Sequence, residues 1–176
     1  MSKDSVILIL VSDALKAFEA LLDVTVMDFN GTRISHLTLP VTVPANSSAK
    51  IPTIPKQQLI GDANESRSVI HLQLRRGQET LHERYAYFRL PKELELHKPT
   101  LMRAIQKNLT GYTIELAAST LAKSVMLACG DDACFFSDNY FDLVPGIQKT
   151  ITVTTTMKQD EFEKSLKIIS LIDSYQ

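Results

Sequence analysis

Phe135-Phe136-Ser137-Asp138-Asn139-Tyr140-Phe141-Asp142-Leu143-Val144-Pro145-Gly146 lies between two β-prone runs, 124–129 and 149–156. Aromatic residues flank Ser137-Asp138-Asn139 on both sides, and short polar side chains of this kind bend a backbone by bonding to it. Pro145-Gly146 supplies a second turn. Strand, bend, turn and strand within about thirty residues describe a corner of a β-sheet domain. The aromatics are expected to pin that corner by burial.

Working back from it, Cys129 and Cys134 bracket Gly130-Asp131-Asp132-Ala133, so they can face each other across a hairpin. They are either a cross-strand disulfide, a redox pair, or two small, partly buried thiols beside a turn; the last is the preferred reading. No acidic or histidine arrangement beside them resembles a zinc site. Upstream, 101–107, 112–118 and 121–129 read as strands, with a turn at Asn108-Leu109-Thr110-Gly111. Downstream, 148–156 is rich in β-branched residues. Residues 157–164 read equally as a helical turn or an open loop, and 166–172 as a closing strand.

The first half repeats the style. Residues 5–12 read as one strand. Over 18–28, Ala20, Leu22, Val24, Val26 and Asp28 share one face, and Glu19, Leu21, Asp23, Thr25 and Met27 the other. Asn30-Gly31 is a strong hairpin signal, because both residues tolerate positive φ, and 32–39 is the returning strand. Pro40, Pro44, Pro52 and Pro55 confine the next stretch to edge strand and loop. Residues 57–66 read as a longer loop with room for one helical turn. A hairpin about Gly77-Gln78 joins 68–76 to 79–88. Ile70, Leu72 and Leu74 face one way and His71, Gln73 and Arg75 the other. Simple pairing across a two-residue loop puts His82 and Arg84 on that polar side. Residues 91–99, charged and bounded by prolines, read as an extended linker between domain 1–90 and domain 100–176. Six or seven strands in each half, at spacings of roughly 8–12 residues, give an all-β chain of two consecutive β-sandwiches.

The chain has 176 residues, 44% hydrophobic, with a formal net charge of −1. That balance gives no electrostatic reason to expect nucleic acid or an acidic membrane surface. The apolar run Val6–Val11 is too short to span a bilayer and lacks the features of a secretory signal. There is no Gly-x-Ser-x-Gly elbow, no phosphate-cradling glycine loop and no His-Glu-x-x-His. The acidic pairs Asp131-Asp132 and Asp160-Glu161 read as solvated charge in turns. Asp138 and Asp142 read as turn caps bonding backbone N–H groups, with a sugar hydroxyl or Ca2+ as the functional alternative. His71 and His82, diagonal on one face, read as solvent-facing rather than as a metal pair. Tyr85, Tyr87 and Tyr140 offer stacking faces for a sugar, with core packing as the plainer alternative. Asn46, Asn64 and Asn108 each open an Asn-x-Ser/Thr triplet, which matters only in a eukaryotic secretory pathway.

One segment adds a family. Phe136-Ser137-Asp138-Asn139-Tyr140-Phe141-Asp142-Leu143-Val144-Pro145-Gly146, followed by Lys149-Thr150-Ile151-Thr152-Val153, resembles the C-terminal Ig-like domain of β-mannosidases of glycoside hydrolase family 2. Residues 166–175 resemble its last strand. Val11-Ser12-Asp13-Ala14-Leu15 and the run 22–31 are similar to the Ig-like domain that precedes it. The resemblance implies the C-terminal, non-catalytic part of a larger retaining β-mannosidase, inactive alone. That family's catalytic glutamates sit in a preceding (β/α)8 barrel of about 250 residues, so no catalytic residue, cofactor or metal ligand is carried over. Phe136, Ser137, Asp138, Asn139, Tyr140, Phe141, Asp142, Pro145 and Gly146 are expected to be structural. The implied partner is the barrel of the same parent chain, with carbohydrate as a second partner class and no nucleic acid or membrane. An apolar patch once facing the barrel gives a route to homodimers. The alternative is an autonomous carbohydrate-binding sandwich. The parent would be periplasmic or cytoplasmic if bacterial, lysosomal if animal.

Overall fold

The computed structural model describes residues 4–130 and 134–175. The chain divides into two compact units: one runs to Asp28 and resumes over Thr32–Glu95, and the other comprises Phe29–Gly31 and the chain from Leu96 onward. Both are antiparallel β-sandwiches of immunoglobulin-like type.

In the first unit, β1 (Ser5–Val6) and β2 (Ile9–Ser12) replace the single strand expected over 5–12. They part because they serve different partners: β1 pairs with β6 (Ile54–Pro55), and β2 pairs with β5 (Ser47–Lys50). The main sheet has the order β4-β3-β7-β8, built from β3 (Phe18–Asp28), β4 (Arg33–Val43), β7 (Ser68–Arg76) and β8 (Glu79–Tyr87). The alternation in β3 takes effect as burial, with Ala20, Leu22, Val24 and Val26 all in the core. They meet Val6, Val41, Val43, Ile51, Ile54 and Ile70, together with Leu59 and Ile60 of the short helix α1 (Lys56–Ile60). β4 runs past the expected end at Leu39, through Pro40, to Val43. The proline is tolerated because β4 is the edge strand, where a missing N–H breaks no interior ladder.

The β7–β8 hairpin corrects one expectation. Arg76 pairs with Glu79 and Arg75 with Thr80, but the register then slips, so that Leu74 faces His82, Leu72 faces Arg84 and His71 faces Tyr85. A bulge inserts one extra residue, and with a side-chain period of two a slip of one residue exchanges faces. His82 and Arg84 therefore sit on the leucine side. His71 and His82 do not share a face.

Residues 91–99 are not uniformly extended. Pro91–Glu93 forms a 3-10 turn, and the Glu93 carboxylate accepts from the Leu90 N–H at 3.1 Å. Proline at the first position of such a turn is pre-set for it.

The second unit sets a four-stranded sheet, β12-β14-β10-β9, against a three-stranded one, β13-β11-β15. The strands are β9 (Leu101–Lys107), β10 (Gly111–Ala118), β11 (Ala122–Cys129), β12 (Phe135–Phe136), β13 (Phe141–Leu143), β14 (Lys149–Thr154) and β15 (Leu166–Ile169). Tyr112, Ile114, Leu116, Val125, Leu127 and Ile151 lie in the core between them. Residues Gln159–Ser165 form a helix, α2, whose one buried residue, Phe162, stacks on Tyr112 with ring centroids 4.4 Å apart. The Tyr112 hydroxyl donates to the Met157 carbonyl at 2.9 Å. The closing strand stops at Ile169, and Leu171–Tyr175 turns into a 3-10 helix instead of continuing to Ile172. Asp173 explains the stop: its Oδ2 accepts from both the N–H and the hydroxyl of Ser170, each at 2.9 Å.

Cys129 and Cys134 are joined by a disulfide, which corrects the preference for two free thiols. Cys129 ends β11, and Cys134 begins the return toward β12. Their Cα atoms are 6.0 Å apart, within the span that such a bridge closes. Asp131 and Asp132, read as a solvated pair, lie outside the described residues.

Candidate functional site

The segment 135–146 holds the second unit together with polar atoms as well as rings. Phe136 and Phe141 pack against the core, while Phe135 is 74% exposed and Tyr140 69% exposed. Pinning by buried aromatics therefore holds for two of the four rings. Ser137 pairs with Thr152 through both backbone and side chain, its N–H donating to the Thr152 carbonyl at 2.9 Å and its Oγ accepting from the Thr152 N–H at 3.0 Å. Asn139 reaches β11. Its Oδ1 accepts from the Leu127 N–H at 2.8 Å and its Nδ2 donates to the Leu127 carbonyl at 2.9 Å, so one side chain does what a neighbouring strand residue would do. The same Oδ1 takes the Tyr140 N–H at 3.1 Å, helping to hold Tyr140 at a φ of 59°. Asp142 accepts from the Ser124 N–H at 2.7 Å and from Lys123 Nζ at 3.3 Å, beside a second strained residue, Ser124, at φ 51°. Asp138 accepts the Asn139 N–H and pairs with Lys149 Nζ at 2.7 Å. Gly146, at φ 81°, closes the turn that Pro145 begins. Both aspartates are occupied by backbone and lysine partners.

The outer face of the first unit's main sheet carries a second polar group. Asp23 is buried, and it is bonded by the Arg75 guanidinium and by the Thr38 hydroxyl, the latter at 2.6 Å. His36 Nε2 lies 3.8 Å from the same carboxylate. One row further along, His71 Nε2 meets Glu83 Oε1 at 2.5 Å, and the His71 ring stacks on Tyr85 with centroids 4.7 Å apart. Tyr85 is thus a lid on a histidine.

The Arg75 hydrogen bond holds the Asp23 carboxyl below its ordinary value; burial opposes this, and Thr38 and His36 add to it. For Asp173 the Ser170 N–H acts first in the same direction, again against burial, with the Ser170 hydroxyl and Lys98 assisting. A carboxyl that is a stronger acid folded than unfolded makes the unfolded chain bind more protons between the two values. Its contribution to stability is fully present above the ordinary carboxyl value of 3.8, and is lost as pH falls through the lowered folded value. Urea midpoints measured downward from neutral pH should therefore fall steeply below about pH 4. Asp23→Asn should be less stable at neutral pH and show a shallower acid limb. An unchanged limb would mean that the Asp23 ion pair is irrelevant to stability.

Among the described residues, no group of three or more His, Cys, Asp or Glu side chains is placed to hold a metal ion. A cleft of about 310 Å3 lies on the inner side of the first unit, lined by aliphatic residues with His82 and Arg84, and no carboxylate. Sequence reasoning missed it, because the bulge that puts His82 and Arg84 on the leucine side leaves no mark in residue type.

Two Ig-like sandwiches in tandem, with Ser137, Asn139 and Asp142 bonded to neighbouring backbone, define the class as a pair of consecutive immunoglobulin-like β-domains. Residues 4–93 match the family described as a mannosidase Ig/CBM-like domain, and residues 96–174 match an Ig-fold domain family of mannosidases. The chain belongs to the Ig-like domains of glycoside hydrolase family 2 mannosidases. It is similar to β-mannosidase B of Thermothelomyces thermophilus, with 38% identity over 72 residues, 41% of this chain and 8% of that protein. The crystal structure of a β-D-mannosidase from Dictyoglomus thermophilum matches 96% of this chain with a TM-score of 0.74 at 19% identity. The exo-chitosanase CsxA of Amycolatopsis orientalis matches 94% with a TM-score of 0.57 at 14% identity. At these identities the structural likeness speaks to fold alone. The match spans 22% and 25% of those two chains, so the relatives are several times longer.

Proposed function

We propose that this chain is the non-catalytic, C-terminal accessory pair of a larger retaining β-mannosidase, which removes terminal non-reducing β-D-mannose from its substrates. The barrel that would do the chemistry is its partner in the same parent chain. The observation that carries this reading is the match of two consecutive segments, 4–93 and 96–174, to mannosidase Ig-type domains in that order. The chemistry supports it. Retaining glycoside hydrolysis needs two carboxyl groups about 5–5.5 Å apart in a pocket, and the described cleft is lined by aliphatic side chains with His82 and Arg84. In this reading Ser137, Asn139 and Asp142 lock the second sandwich and touch no substrate.

The test is an assay of aryl β-mannoside hydrolysis by the purified chain and by the native protein that contains it. No release by the chain and release by the native protein is the expected result. Turnover by these 176 residues alone would overturn the proposal. The exposed ring of Tyr140 favours one second reading, a carbohydrate-binding module. Flat calorimetric titrations with manno-oligosaccharides would end it.

A further inference from the structure

The slip between Leu74 and Arg75 puts an imidazole and a guanidinium on the apolar side of the first sheet. His82 stands opposite Leu74 and Arg84 opposite Leu72. With Leu8, Leu10, Leu22 and Ile51 these residues line the 310 Å3 cleft. Neither His82 nor Arg84 has a hydrogen-bond or ion-pair partner among the described residues. Ile9 and Val11, also in the lining, are 63% and 80% exposed. The cleft is floored by the interior strands β3 and β7, and two of its strands stand at sheet margins: β8 ends the four-stranded sheet, and β2 forms a two-stranded sheet with β5 among the described residues.

These features restrict what fits. The lining has no Phe, Tyr or Trp, so a pyranose finds none of the broad faces on which sugars stack. One guanidinium and one imidazole do not make the basic stripe that tracks a nucleic-acid backbone. Leucine and valine surfaces with an unpaired guanidinium suit an occupant that brings aliphatic groups and a carboxylate together. A strand does this when residues at i and i+2 share a face, and a sheet-terminal strand is a site where a strand adds.

We propose that the cleft between β2 and β8 is a docking groove for an extended acidic–apolar polypeptide segment. Its aliphatic side chains rest on Leu72 and Leu74, and its carboxylate pairs with Arg84, with His82 as the second polar contact. The inference is independent of the parent enzyme's activity.

The probe is a fluorescein-labelled peptide, Leu-Ser-Glu-Ser-Val-Ser-Leu, whose apolar and acidic residues fall on one face when extended. Fluorescence anisotropy against the whole chain should give a saturable, one-to-one curve. Arg84→Glu should weaken binding by about tenfold or more, as reversal of a close charge pair does. Val11→Asp should weaken it comparably, and a peptide with lysine in place of glutamate should bind at least about tenfold less tightly. Thr42→Ala, on the far edge strand, should change nothing. Absence of saturation, equal affinity for the lysine peptide, or full affinity in Arg84→Glu with its circular dichroism intact would each overturn the proposal. So would competition by manno-oligosaccharide or by dodecanoate at concentrations below those of the peptide.

Discussion

Gly111→Ala is expected to unfold the second domain, or to lower its stability by about 4 kcal/mol or more. Gly111 opens β10 at a φ of +150°, and its carbonyl accepts the Asn108 N–H at 2.9 Å to close the preceding turn. A β-carbon there would stand 2.4 Å from the Val153 carbonyl oxygen and 2.9 Å from the Thr155 nitrogen. Both are backbone atoms at the end of β14, so relief requires moving a strand of the four-stranded sheet, not a side chain. The conformation adds its own cost, because residues with a β-carbon avoid it. Gly61→Ala is the internal control. Gly61 also has positive φ, at +55°, but no atom lies within 4 Å of the added carbon, so only the backbone term of about 1 kcal/mol applies. Urea denaturation of both variants checks the difference. Equal losses would show that φ, rather than the approach of β14, governs the site.

Asn139→Ala is expected to cost about 2–4 kcal/mol, the loss that follows from leaving buried donors and acceptors unmet. The N–H and carbonyl of Leu127 both bond to the Asn139 side chain, and Leu127 itself is buried. Alanine removes the partners of both, together with the contact that helps hold Tyr140 at positive φ. Asn139→Asp keeps the acceptor for the N–H but sets a second oxygen against the Leu127 carbonyl, so it should not restore wild-type stability. Hydrogen exchange gives an independent reading: the Leu127 amide should be slow in wild type and fast in Asn139→Ala. A protected amide in the variant would mean that another group replaces Asn139.

Much of the fold could be read from residue order because its signals are local and periodic. Along β3 the spaced-by-two residues Ala20, Leu22, Val24 and Val26 all reach the core, and Asn30-Gly31 follows as the turn. The family likeness around 136–146 also pointed to the domain type. Four features escaped for physical reasons. The bulge beside Arg75 is a matter of count, since nothing in Thr80-Leu81-His82 announces that one residue will go unpaired, yet it decides which side chains enter the cleft. At 135–146, hydrophobicity suggested anchoring by all four rings, whereas only Phe136 and Phe141 pack on the core and Ser137, Asn139 and Asp142 add the polar anchors. The bonds of Asn139 to Leu127 and of Asp142 to Ser124 are to backbone distant in sequence, which periodicity does not register. The cysteines were ambiguous because spacing alone does not fix the distance between two Cα atoms. The polar group around Asp23 likewise needs three strands in register before Thr38 and Arg75 meet it.

Pro40 gives the first sheet a direction of growth. It lies within β4, the strand opposite β8 in the sheet order, and has no N–H to offer a newcomer. A segment that added along β8 would extend the sheet by one strand. Stacking of copies edge to edge needs two receptive margins, because every unit in a fibril is both guest and host. If a segment adds along β8, the missing N–H of Pro40 makes β4 the poorer margin for a second one.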